Sequence, residues 1–309
     1  MEAYQFLQNL SAHFLQKNYD YCWLKAMLQK AGAVTGKGAT LITGSSHALN
    51  CIQENLWANA INCSMHSQDL YYDFLCARRV LDTAEKNSFD RCFIIFGYYI
   101  TFQDLSLSTY ARQYLIPQIY YPIFQDAHHW EIPPVYDPWE DTEGLPDTIK
   151  QHCGQAAVQK ILEQGTYYSQ LRPRKSYFDL QGKQWGDLSI EQRRRCAEIR
   201  TSDHNKIFRH KASFEENRQI LKEYVHLLHL NNVLPVVVIP PFTPEYNQYT
   251  LPEMKEAVVE MLDAVPEDVH YVDFNQGGIF DPSDFMDTDH LSAKGAEKVS
   301  SILVEMFGP

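Results

Sequence analysis

Basic residues are in short supply: 27 Lys and Arg stand against 39 Asp and Glu over 309 residues, a formal charge of −12. Phosphate neutralisation needs a basic face, so this balance excludes a nucleic-acid binder and argues against docking on anionic lipid. Also missing is any run of about 18 apolar residues, and with it a membrane-spanning helix. The seven cysteines are an odd number without CxxC spacing, which speaks against a disulfide framework. Free thiols in a reducing, cytoplasmic compartment fit that usage. The opening 32 residues, "MEAYQFLQNLSAHFLQKNYDYCWLKAMLQKAG", lack the basic start and unbroken apolar core of a signal peptide. No P-loop or GxGxxG occurs, so a nucleotide-binding reading has little support. Neither HExxH nor EF-hand spacing is present, and no metal or cofactor is expected. Repeats and low-complexity tracts are lacking too.

What is present is 45% hydrophobic residues, enough for a sizeable core. Short β-rich runs alternate with helical patterns. "ATLITG" (39–44), "AINCS" (60–64), "CFIIFGYY" (92–99), "LPVVVIPP" (234–241) and "VHYVDF" (269–274) read as strands. The third and fourth are nearly continuous apolar runs, as in strands covered on both faces. Helices are expected over roughly 46–57, 68–86, 215–231, 252–263 and 292–307, the last with Ser292 as N-cap. This alternation predicts a parallel sheet with helices on both sides, whose ligands sit beyond the carboxyl ends of the strands. The expected fold class is α/β: a flavodoxin-like, three-layer α/β/α domain with a five-stranded parallel sheet in order 2-1-3-4-5. It carries an N-terminal helical segment, 1–37. Residues 101–214, rich in Tyr, Pro and acids and then basic, break the rhythm and read as one large insertion after strand 3 within a single domain, 1–309.

Two stretches carry chemistry. "LITGSSHALN" (41–50) sets two serines and a histidine where the first strand ends, so a serine there either caps the next helix or serves as a nucleophile at the sheet edge. "DPSDFMDTDHLSAKGAEKV" (281–299) sets Asp287 three residues before His290. A carboxylate at that spacing can fold back onto the imidazole Nδ1 and leave Nε2 free to take a proton from a serine. A solvated acidic loop with a histidine near a cap is the plain alternative.

Taken together, GSS after the first strand and DxxHL before the last helix resemble the SGNH (GDSL-type) hydrolase family. Within it, the combination looks nearest to the bacterial surface-polymer branch that includes the D-alanine transfer protein of teichoic acid and polysaccharide O-acetyltransferases. The resemblance covers roughly 38–100 and 215–309. It implies Ser46, rather than Ser45, as nucleophile, His290 as base and Asp287 as the acid that orients it. It also implies an oxyanion hole from the amides of Ser46 and Ser67, with Tyr99 at the position where the family usually has Asn. "NCSMHSQD" matches the family's second block at Asn62 and Ser64, and Ser67 stands where a glycine is usual.

The activity implied is that of a serine acyl-ester hydrolase or O-acyltransferase acting on a small-molecule or carbohydrate acyl ester. A catalytically weak binding or assembly protein of the same fold is the alternative, favoured by Tyr99. His66, in the oxyanion segment, is a candidate substrate contact. So are His128 and His129 in the insertion, which read equally as loop residues. His47 follows the nucleophile too closely to be its base and is expected to cap or pack. Arg193, Arg194 and Arg195 read as a solvated helix face.

Overall fold

The computed structural model describes residues 2–131, 144–165, 167–172 and 174–309. Two compact units divide the chain: Met1–Ala33 with Leu105–Pro173, and Val34–Asp104 with Arg174–Pro309. The segment grouped by sequence as one insertion, 101–214, is thus shared between them, its latter part belonging with the sheet.

In chain order, α1 (Glu2–Lys17) and α2 (Tyr19–Ala31) precede β1 (Ala39–Gly44), α3 (Ser46–Cys51), β2 (Ile61–Asn62), α4 (Leu70–Thr83) and β3 (Phe89–Ile95). Next come α5 (Tyr121–Phe124), α6 (Asp147–Glu163), α7 (Tyr168–Leu171), α8 (Ile190–Asn205) and α9 (Lys211–Leu230). The chain closes with β4 (Leu234–Ile239), α10 (Pro244–Tyr249), α11 (Pro252–Asp263), β5 (His270–Asp273) and α12 (Ala293–Phe307).

The five strands form one all-parallel sheet in the order β2-β1-β3-β4-β5, as the alternating pattern predicts. Successive side chains of a strand point to opposite faces, and here both faces are covered. Ile42 pairs with Phe93 and Phe93 with Val236, and these three join Ile95 and Val238 in a core completed by Ala48 of α3 and by Val299 and Leu303 of α12. The alternate residues meet α9 instead: the Tyr224 hydroxyl lies 2.9 Å from Thr43 Oγ1 and 3.4 Å from Cys92 Sγ. Continuous apolar strands follow from that double burial. No helix among the described residues is long and apolar enough to cross a membrane.

Of the element boundaries that differ from those expected by sequence, two have a clear local cause. The first helix stops at Cys51, and Ile52 is extended, because the next backbone N–H, that of Gln53, turns to the Ser300 hydroxyl on α12 at 2.9 Å. The third strand ends at Ile95 rather than running to 99. Tyr98–Phe102 forms a 3₁₀ turn, pinned by the Asn217 side-chain amide of α9, which donates to the carbonyls of Thr101 and Gln103 at 3.1 and 2.9 Å.

In the helical unit, Phe14, Trp23, Leu24 and Met27 are buried together with Val158 and Ile161 of α6. Asp20 accepts hydrogen bonds from Tyr168 and Arg172, each at 2.7 Å. Burial pushes its carboxyl up to about 6, against the lowering effect of the Tyr168 bond.

Candidate functional site

β1 ends at Gly44, whose φ of +144° is open in practice only to glycine. A Cβ there would sit 2.0 Å from the Ile95 carbonyl oxygen of β3. That close approach turns the chain sharply, and the two serines after it divide the labour left open by sequence. Ser45 is the cap: its hydroxyl accepts the His47 backbone N–H at 3.4 Å. Ser46 is the first residue of α3, and its side chain faces the loop before α12 instead.

That loop folds tightly on itself. The Met286 N–H donates to the His290 carbonyl at 2.9 Å, and Phe285 bridges Leu291. Asp287 lies at its centre, fully buried, with three backbone N–H groups on its carboxylate. Those of Asp289 and His290 reach Oδ1 at 3.1 and 2.9 Å, and that of Tyr177 reaches Oδ2 at 2.8 Å. The bonds satisfy the carboxylate and fix its plane, which a buried anion requires.

Ser46 Oγ lies 2.9 Å from His290 Nε2, and His290 Nδ1 lies 3.1 and 3.2 Å from the two Asp287 oxygens. The three residues that sequence reasoning singled out are thus hydrogen-bonded in series. Burial alone would lower the His290 imidazole, but Asp287 and then Asp289 outweigh it and hold its pKa above the ordinary histidine value. Such a ring, with a carboxylate on Nδ1 and a hydroxyl on Nε2, can take a proton from the hydroxyl and carry the resulting charge.

Directly beside it runs a second chain of the same residue types. Ser45 Oγ is 3.3 Å from His47 Nδ1, and His47 Nε2 is 3.2 Å from Asp289 Oδ2. Arg200 of α8 donates from Nε to the same oxygen at 2.9 Å. The His47 and His290 rings stack at 28° with centroids 5.1 Å apart. Burial raises Asp289, but Arg200, His290 and His47 overcome it and hold the carboxyl well below its usual range. Burial lowers His47 despite its bond to Asp289.

Sequence reasoning gave Asp289 and Arg200 no role in this cluster. Arg193, Arg194 and Arg195 of α8 were read as solvent-facing, and Arg194 and Arg195 are indeed exposed. Arg193 and Arg200 are two turns apart on one face, and both are largely covered: Arg193 bonds Glu245 at 3.1 Å and Arg200 bonds Asp289. The signal was helical spacing, 193–197–200–204, but much of the inward face is polar and an apolar pattern does not register it.

The segment after β2 carries Ser67 with φ +59°, the left-handed conformation glycine would take there. Its carbonyl accepts the Gln103 side chain at 2.7 Å. Neither the Ser46 N–H nor the Ser67 N–H has a hydrogen-bond partner among the described residues. Behind the segment, the Gln68 side-chain amide reaches the carbonyls of Cys63 and Gly44 at 3.1 and 3.4 Å, and the Asp73 carboxylate at 2.5 Å. The buried Gln68 side chain therefore ties the turn after β1 to the neighbouring segment. His66, half-buried, is pushed down to about 4 by burial and then by the nearby His290 charge.

Tyr99 is buried, and its ring stacks on His204 with centroids 3.8 Å apart and meets His47 edge-on at 5.8 Å. Burial is the main reason its phenol is pushed up to about 12. His128 and His129 belong to the helical unit, where their rings stack at 3.9 Å, and are not among the groups gathered at the sheet edge. The donor atoms of His47, Asp289 and His290 converge within 4.8 Å, a set that can in principle hold a metal ion. Arg200 already supplies Asp289 with a cation, and Asp287 engages His290 Nδ1, so the set is internally compensated. No protein-family model matches this chain, and no curated protein matches it in sequence.

Proposed function

We propose that the protein is an SGNH-like serine acyl-ester hydrolase or O-acyltransferase, with an acylated carbohydrate as its substrate class. The observation that carries this reading is the unbroken series Ser46 Oγ–His290 Nε2, His290 Nδ1–Asp287, at 2.9 and 3.1 Å beyond the carboxyl edge of the sheet. Ser46 Oγ bonds to the acyl carbon while its proton passes to His290 Nε2. The tetrahedral oxyanion is met by the unpartnered N–H groups of Ser46 and Ser67. His290 then returns the proton to the leaving alcohol oxygen, and the C–O bond breaks to leave an acyl-Ser46 ester. Water, or a sugar hydroxyl in the transferase case, repeats the sequence in reverse and frees Ser46. Asp287 keeps the proton on Nδ1 and stabilises the imidazolium. His66, held neutral, supplies a polar edge for the substrate.

Tyr99, at the position of the family's usual Asn and with its ring stacked on His204, favours a second reading: a fold-preserving carbohydrate-binding or assembly protein with weak chemistry. All seven cysteines are free, which supports a reducing, cytoplasmic setting.

A fluorophosphonate probe separates the two readings, since its phosphorus bonds to an activated serine oxygen as fluoride leaves. The enzyme takes one label per chain, lost in Ser46→Ala and kept in Ser45→Ala. A protein that takes none, or labels equally in Ser46→Ala, is not a triad enzyme.

A further inference from the structure

We propose that Ser45, His47, Asp289 and Arg200 form a second, non-nucleophilic chain whose task is to position Ser46 and His290 for proton transfer. For its effect on rate, this rests on the acyl-transfer reading above; its geometry stands independently.

Asp289 has no place in a Ser–His–Asp series already closed by Asp287, yet it is fully buried beside it. A buried carboxylate costs several kcal/mol unless paired. Its Oδ2 is paired twice, by Arg200 and by His47, while Oδ1 has no hydrogen bond and lies 3.7 Å from His290 Nδ1. The partners come from separate elements: Arg200 from α8, His47 from the first turn of α3, and Asp289 from the loop that carries His290. The residue after the nucleophile is thereby tied to the residue before the base.

The direction of the bonds is fixed by chemistry. Ionised Asp289 can only accept, so His47 carries its proton on Nε2 and its Nδ1 accepts from the Ser45 O–H. The Tyr99 ring closes the other side of this chain, edge-on to His47 with centroids 5.8 Å apart. The chain runs from the end of β3, through the β1 turn, to the final loop and α8. Ser45 and His47 are nearly inaccessible, so they reach no substrate. They hold the walls of the site, and the parallel His47 ring limits how far the His290 ring can swing.

The groups facing His290 are Asp287 and Asp289 on its own loop, His47 from α3, His66 after β2, and Arg200 and His204 from α8. Only the two aspartates raise it. Removing the Asp289 charge must therefore move the His290 titration to lower pH, a change that a purely structural role would not produce.

The test follows two readouts in the full chain: the fluorophosphonate labelling rate against pH, and the imidazole nitrogen shifts of His290 by NMR. Asp289→Asn is expected to slow labelling by about 10- to 100-fold, the scale of a small misplacement of reacting groups, and to lower the His290 midpoint. Should Asp289→Asn fail to fold with Arg200 left unpaired, the Asp289→Asn/Arg200→Met pair removes both charges at similar volume. It is expected to fold, to label slowly and to show the lowered midpoint. Ser45→Ala deletes only a hydroxyl and is expected to slow labelling less. A folded variant with wild-type rate and midpoint overturns the proposal. If the wild type itself does not label, the acyl-transfer reading fails, and the NMR midpoint alone decides whether Asp289 acts on His290.

Discussion

Two serine–histidine–aspartate chains lie side by side in this molecule, built from neighbouring residues, and only one has the arrangement of a catalyst. Ser46 is 9% exposed and Ser45 not at all. In the first chain the serine meets Nε2 and the aspartate Nδ1; in the second the attachments are exchanged. The carboxylates differ most. Asp287 is held by three backbone N–H groups and faces His290, whereas Asp289 is paired with Arg200. On the reading proposed above, the same three residue types give a proton relay when the carboxylate is left for the ring and the hydroxyl is reachable. They give a brace when the charge is spent and the hydroxyl is sealed in.

The largest effect that can break this comparison is on the acids. Asp287→Asn removes the acceptor that keeps the His290 proton on Nδ1, and turnover of a short p-nitrophenyl ester should fall by about 10⁴-fold, as in other triads. Asp289→Asn should cost far less. A greater loss in Asp289→Asn would exchange the roles of the two chains.

How much of this was legible in the sequence differs between the two chains. The parallel sheet was legible in five apolar runs between helical patterns, which report on local chain geometry, whereas Ser46, Asp287 and His290 were singled out by the resemblance of GSS and DxxHL to the SGNH blocks. The brace did not follow. His47 was set aside as too near Ser46, which is right for a base and uninformative for a ring that turns the other way. Arg200 sits on a helix whose buried positions include Thr201 and His204, where burial is not announced by apolarity. Interactions spanning 89 positions, as between Arg200 and Asp289, depend on the packing of α8 and leave no local trace.

The histidines sharpen the comparison through pH. His290 is raised, so it becomes a free base only above the ordinary histidine range, and kcat/KM should rise with pH through a midpoint above about 6.5. His47, His66 and His204 are lowered, burial first in each case. Their unfolded forms bind protons that the folded forms refuse. The stability they contribute is therefore complete above about 6.5 and lost as pH falls toward about 4, the His66 value. Thermal melts between pH 7.5 and 4 should show the midpoint falling through that window. The neutral variant His66→Gln should weaken the fall, and an unchanged melting curve in both proteins would refute it.

The smallest effect concerns Tyr99, the far end of the brace. Sequence position assigns its hydroxyl to the oxyanion hole, where removing a donor costs about 10²–10³ in kcat. The phenol instead lies near Ser45, and the ring is held by His204 whether or not the oxygen is present. Tyr99→Phe deletes one hydroxyl and keeps the stack, so stability should drop by no more than about 1 kcal/mol. Ser45 retains its bond to His47, which keeps the turn in place, and kcat should stay within about threefold, well short of a lost oxyanion donor. KM should not move, because neither group faces substrate. A loss of 10²-fold in kcat at constant KM would mean that the phenol swings to the oxygen as charge develops, and the sealed chain would then be part of the reacting one.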